Sequence, residues 1–155
     1  MTNEEVFIQA SKLRAKAYYY LFDEFSKEIG EEKTQEIFKK AIYRLGLDKS
    51  ESFSSAAGLS AKTFAEEFVK DPIGKNVFKQ SILEAQEDKA VVEMKGCPLV
   101  DLWKELNLSD EQIAKLCDAA HQIDYGTVEG KGLKLKFPTR LSHGGSSCIL
   151  EINKK

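Results

Sequence analysis

Three cysteines and two histidines carry most of the reactive chemistry available to this 155-residue chain. Cys117 and His121 are four residues apart, the spacing that makes side chains neighbours on one face of a helix, so a thiol and an imidazole there can share a metal ion or act as nucleophile and base. The opposing reading is a core cysteine, because Cys117 also falls on an apolar stripe, where a free thiol behaves as a small hydrophobe. Asp118, His121 and Asp124 follow at i, i+3 and i+6, which predicts a carboxylate on either side of the ring, able to orient it as an acid or base; a solvated helix end is the plain alternative. Cys97, between Gly96 and Pro98, stands at a strand exit, and Cys148 opens a strand on its core-facing side. The cysteine spacings of 20 and 31 residues lack the Cys-x-x-Cys knuckle of structural zinc sites. His143 precedes Gly144-Gly145, a turn whose free amides can hold a carboxylate, although a simple hairpin turn explains the glycines equally. Tyr125, beside Asp124, joins His143, Gly144 and Cys148 as a candidate substrate contact.

These residues depend on two kinds of element. From Glu4 to Ile29 there is no Pro or Gly, and Val6, Ala10, Leu13, Ala17 and Tyr20 recur at helical spacing beside a second stripe of Tyr18, Phe22, Phe25 and Ile29. Two stripes on one helix predict two partners, and the tyrosines at 18–20 cannot all face one core. Gly30 is the expected stop, Glu31 and Glu32 open a second helix with Ile37, Phe38, Ala41, Ile42 and Leu45 as its buried face, and Gly46 is expected to end it. Residues 48–58 read as a loop. Ser60 caps a short helix bearing Ala61, Phe64, Ala65 and Phe68 that stops before Pro72.

The period then shifts toward two. Residues 77–95 predict an antiparallel hairpin around the polar turn 86–89, Leu133, Leu135 and Phe137 alternate with Lys134 and Lys136, and Cys148, Leu150 and Ile152 alternate in a last strand. Between them, Ser109 and Gln112 form a capping box that predicts a helix over 110–122. Trp103, with Leu102 and Leu106, is expected in the core. The reading is one α+β domain: a helical leader over 1–75, then a strand-rich half over 76–155, with long N-terminal helices packed on an antiparallel sheet of about four strands and an inserted helix.

Composition narrows the function classes. Basic and acidic side chains number 23 and 25, for a formal charge of −2, so no global field draws the chain to phosphate backbones, and nucleic acid is not an expected partner. No apolar run approaches the ~20 residues of a membrane span, and the acidic start lacks a secretory n-region, which places the protein in the cytoplasm with reduced cysteines.

Residues 91–152 resemble the L-2-amino-thiazoline-4-carboxylic acid hydrolase family. The resemblance rests on Gly96-Cys97-Pro98-Leu99 with Trp103 behind them, Leu116-Cys117-Asp118 and Asp124, Phe137 to Leu141, Gly144 and Cys148-Ile149-Leu150. The same arrangement is similar to 4-vinyl-reductase-type small-molecule-binding domains, which commonly carry a further cysteine where this chain has Arg140. The resemblance implies a pocket between helices and sheet, often in a dimer, and a substrate that is a small cyclic amidine bearing a carboxylate, opened at a ring bond to sulfur or nitrogen to give N-carbamoyl-L-cysteine. On that reading Cys97 or Cys117 is the nucleophile, His121 oriented by Asp124 the acid or base, and His143 with the glycine turn the carboxylate anchor. The competing expectation is a non-catalytic binding or sensor module whose cysteines merely line the pocket. A pocket of Phe, Tyr and Met favours the module, and a small pocket where Cys97, Cys117 and a histidine converge favours the enzyme. Whether a metal or cofactor binds at the cysteines stays open, and a homodimer through the first-half helices is expected.

Overall fold

A computed structural model describes residues 1–155. Helix α1 (Asn3–Ile29) starts at a capping box in which Thr2 Oγ1 accepts from the Glu5 amide and the Glu5 carboxylate accepts from the Thr2 amide. Gly30 ends it at φ 87°, a left-handed value that costs glycine nothing. The chain turns directly into α2 (Glu31–Ser50).

The expected stop at Gly46 is overturned. Gly46 is buried inside α2, because α7 (Gln122–Glu129) crosses there at backbone contact: a Cβ on Gly46 would strike the Ile123 carbonyl oxygen, and a Cβ on Gly126 the Tyr43 carbonyl oxygen. Gly46, which reads as punctuation, forms with Gly126 a helix–helix contact surface. The segment predicted as a loop over 48–58 is accordingly shorter, ending in a 3-10 turn at Ser55–Gly58.

α3 (Ala61–Phe68) is capped by Ser60, as expected. A helix the sequence reading did not include, α4 (Pro72–Val77), follows, with Asp71 capping it and Pro72 supplying the preset φ of a first helical turn. The hairpin is β1 (Gln80–Ala85) and β2 (Lys89–Met94). Then come α5 (Pro98–Glu105), α6 (Asp110–Ala120) with the Ser109–Gln112 capping box, α7, β3 (Leu133–Thr139) and β4 (Cys148–Lys154). All strand pairings are antiparallel, in the order β1-β2-β4-β3.

Two cores result. One joins α3 and Val128 of α7 to the inner sheet face, where Ala90, Val92, Leu133, Leu135, Leu150 and Ile152 are buried while Lys134 and Lys136 stay exposed. The other joins Ala15 and Phe22 of α1 to Leu99, Val100, Leu102 and Trp103 of α5 and Ile113 and Leu116 of α6. Trp103 is 1% exposed, and its indole N–H donates to the Ala15 carbonyl at 3.0 Å. The second-half helix over 110–122 is broken at His121 into α6 and α7, and the leader and the strand-rich half interlock through α2 and α7.

The apolar stripes of the leader are divided differently from the expectation. α1 buries Ser11, Ala15 and Phe22, while Val6, Leu13 and Tyr20 of the first predicted stripe are exposed, Leu13 by 71%. On α2, Ile42 is buried, but Ile37, Ala41 and Leu45 are exposed. No helix is long and apolar enough to cross a membrane.

Candidate functional site

Where the two cores meet they leave a cavity of about 190 Å³. At ~30 Å³ per water that is room for about six waters, below the ~300 Å³ at which drug-sized pockets begin. Phe68, Met94 and Phe137 line it from the sheet side, and Leu99 and Trp103 from the helical side. Cys97, Cys117, Cys148, His121 and Asp124 all line this one cavity. Three elements deliver the thiols: Cys97 is the N-cap of α5, Cys117 lies in the last turn of α6, and Cys148 begins β4. No cluster of His, Cys, Asp and Glu comes together closely enough to hold a metal ion.

His121 is the hinge between α6 and α7, at φ −74° and ψ −5°. Its Nδ1 lies 2.7 Å from the Cys117 carbonyl oxygen, which also accepts the His121 backbone amide at 2.9 Å. A carbonyl only accepts, so Nδ1 carries the proton, and in the neutral ring Nε2 keeps a free lone pair. Burial holds the ring neutral, pushing its pKa down to about 4, with Arg140 nearby adding to the effect. Much of that shielding is aromatic, since Tyr125 and Phe137 meet the imidazole edge-on at centroid distances of 5.2 and 5.1 Å.

The sequence reading differs here in two respects. His121 does not decorate a wet face, because the break in the helix turns it inward. Neither carboxylate hydrogen-bonds it: the Cys117 carbonyl orients the ring, Asp118 pairs with Arg140 at 2.8 Å and with His143 at 3.3 Å, and the Asp124 carboxyl takes no hydrogen bond from the protein. Burial raises the Asp124 carboxyl above its ordinary range against the opposing pull of Lys49 and Arg14.

The thiols are half-buried and free. Burial pushes Cys97 up to about 12, so it is protonated at neutral pH. Burial also raises Cys148, whose Sγ accepts the Leu141 amide at 3.3 Å. The remaining candidates fall outside the lining: Tyr125 packs behind His121, and His143 and Gly144 are exposed on the turn after β3, with Gly144 at φ 81°.

The residue that sequence reasoning left out of the site is Arg140. Its guanidinium lines the cavity with only 13% exposure, and although burial works against its charge, Cys117 and Asp118 beside it more than restore the protonated form. Its Nε–H is buried without a partner, a deficit that costs about 1–3 kcal/mol for a neutral group and more for a charged one. Arg140 belongs to no periodic pattern, and the one signal in the sequence was its place four residues before Gly144.

Long N-terminal helices on a four-stranded antiparallel sheet, with a small cavity at their junction, define an α+β fold. The chain belongs to the L-2-amino-thiazoline-4-carboxylic acid hydrolase family, whose model matches residues 10–151. That match extends well into the helical leader, beyond the residues that carried the resemblance in sequence. Among solved structures it is similar to a trafficking protein particle complex subunit 3 from Naegleria fowleri, covalently bound to palmitic acid, at 15% identity, covering 94% of this chain and 95% of that chain with a TM-score of 0.64. At that identity the likeness concerns the fold. No curated protein matches the chain.

Proposed function

We propose that the protein hydrolyses a small cyclic amidine of the L-2-amino-thiazoline-4-carboxylate type to an N-carbamoyl amino acid. The observation that carries this reading is a neutral His121 with a free Nε2 lining the same small cavity as the Asp124 carboxyl. Family membership supports the same reaction class.

The roles follow from protonation. Nε2 of His121 takes a proton from water as the water oxygen bonds to the amidine carbon. The proton on Nε2 then passes to the ring nitrogen; collapse of the tetrahedral intermediate breaks the ring carbon–sulfur bond as the hydroxyl loses its proton to become the carbonyl, and the sulfur leaves as a thiolate that accepts a proton, so the two hydrogens of water end on nitrogen and sulfur. The amidine nitrogens remain on carbon, so the product is N-carbamoyl-L-cysteine and the atoms balance. Asp124, held toward its protonated form, is the proton donor to the departing sulfur. Cys97, protonated at neutral pH, serves as lining rather than as an anionic nucleophile; Cys117 and Cys148 complete the wall as reduced thiols in a cytoplasmic protein, with Tyr125 backing His121.

The exposed apolar face of α1 and α2 is assigned to a second copy of the chain. Helix α1, 27 residues, is ~40 Å long, and its Leu13, Tyr20 and Leu21, with Ile37 and Leu45 of α2, are exposed large apolar side chains.

The test is incubation with L-2-amino-thiazoline-4-carboxylate under reducing conditions, with and without added divalent metal. The expected result is stoichiometric release of titratable thiol and N-carbamoyl-L-cysteine by mass spectrometry. No ring opening under any of these conditions overturns the reading in favour of the binding module.

A further inference from the structure

The site leaves one charged group unexplained by ring opening. Arg140 follows directly on β3, and its side chain turns into the cavity, where its exposure falls to 13%. Nη2 pairs with Asp118 Oδ1 at 2.8 Å and donates to Ser142 Oγ at 3.4 Å, the Cys117 thiol stands beside the guanidinium as a further partner, and Nε–H is buried with no acceptor. A guanidinium keeps its charge at any accessible pH and offers five donors in a rigid fork, so a buried donor with nothing to bond is an unmet demand for an anionic acceptor.

The fork is held in place. Asp118 Oδ1 also lies 3.3 Å from His143 Nε2, and His143 Nδ1 lies 2.8 Å from Ser142 Oγ. Arg140, Asp118, His143 and Ser142 thus close a ring of polar contacts around the end of the guanidinium. Of the other cations lining the cavity, Arg14 lies over the Tyr18 ring at 5.9 Å and Lys49 over the Phe68 ring at 5.2 Å, both with exposed side chains. Asp118, the one anion bonded to Arg140, is not among the cavity-lining residues, whereas the Cys117 thiol and the Asp124 carboxyl are.

We infer that Arg140 is the anion anchor of the cavity, holding the carboxylate of a small ligand on its guanidinium fork. This deepens the ring-opening reading, whose substrate bears one carboxylate, and moves the anchor from His143 and the glycine turn to Arg140. His143 is then a positioning residue that acts through Asp118. A carboxylate on the fork orients the amidine ring within a space too small for it to turn freely, so Arg140 selects carboxylated rings over their neutral counterparts.

The experiment compares three probes by calorimetry and amide-resolved NMR: L-2-amino-thiazoline-4-carboxylate, 2-amino-2-thiazoline, which lacks the carboxylate, and propionate. Wild-type protein is expected to bind the carboxylated ring at least tenfold more tightly than the decarboxylated one, and propionate is expected to shift the amides of residues 140–142. Arg140→Met should remove the preference and the propionate response, and Arg140→Lys should keep part of the preference. Because Arg140→Met strands Asp118, the double variant Arg140→Met/Asp118→Asn is measured as well, with thermal melts confirming that each variant folds. Asp118→Asn alone should weaken binding of both carboxylates and leave 2-amino-2-thiazoline unaffected. A preference that persists in folded Arg140→Met or in the double variant overturns the anchor, as does wild-type protein that responds to neither carboxylate. Carboxylates that bind through Arg140 without any ring opening sustain the anchor and overturn the hydrolase reading alone.

Discussion

Nδ1 of His121 and the carbonyl oxygen of Cys117, one helical turn apart, are 2.7 Å from each other at the point where α6 gives way to α7. The bond uses a carbonyl that the helix end would otherwise leave without a side-chain partner, and it selects one tautomer of the ring. Ring and cavity are therefore coupled to the helix break.

The tautomer is measurable. Long-range nitrogen–proton correlation spectra of the wild-type protein should show His121 as the Nδ1–H form from pH 8 down to about pH 5, with protonation near pH 4. An ordinary titration centred near pH 6.5 would show that the ring is not buried as described.

Replacement of His121 by Asn should lower turnover ~100-fold or more, the effect expected for loss of a general base. Stability should fall as well, by about 1 kcal/mol, because the ring is packed between Tyr125 and Phe137 rather than solvated. Chemical denaturation and steady-state assays separate the two effects. Retained turnover would remove His121 from the mechanism.

The pH dependence of stability has a defined sign for each buried group. His121, depressed to about 4, leaves the unfolded chain binding the extra proton between pH 6.5 and 4, so its contribution is intact above that window and is lost as pH falls through it, by up to ~1.4 kcal/mol per pH unit. Asp124 acts oppositely: its raised value favours the folded state at low pH, and that advantage is lost as pH rises through the folded pKa. Asp124→Asn should therefore leave stability at pH 8 equal to or above the parent while lowering turnover, as followed by urea melts at pH 5 and 8 alongside assays. A large loss of stability at pH 8 would mean that the carboxylate has an ion partner.

Gly46→Ala should destabilise by about 3 kcal/mol or more, since the new methyl group meets α7 backbone rather than a movable side chain. Gly30→Ala, by contrast, meets nothing within 4 Å and suffers only from its backbone at φ 87° and ψ 154°, a cost of about 1–3 kcal/mol. Thermal melts of the two variants give the comparison, and equal losses would contradict the close α2–α7 crossing.

Sedimentation should show a dimer at micromolar concentration, shifted toward monomer by Leu13→Asp, with the Arg140 site unaffected. Leu13 is 71% exposed in the single chain, so this variant has little reason to unfold it. A monomeric parent protein would remove the second copy from the α1–α2 face.

The elements were legible in the sequence wherever the signal is local. Capping boxes are contacts within one turn, so Ser109 and Gln112 placed the start of α6 correctly, and period-two alternation located β2, β3 and β4 because one face of the sheet is buried and the other wet. The cysteines at element ends and the Cys117–His121 spacing likewise pointed to residues that line one cavity. What tertiary structure alone decided is non-local. Gly46 reads as a helix stop unless the backbone of α7 is known to cross it, and nothing in residues 31–50 encodes that neighbour. The same limit hid which stripe of α1 is buried, since Leu13 and Phe22 are equally apolar and only the position of α5 chooses between them. It hid Arg140 most of all: the residue sits in an aperiodic stretch after β3, and what marks it is an unpaired buried N–H, a property of the surroundings that the 139 residues before it cannot specify one at a time.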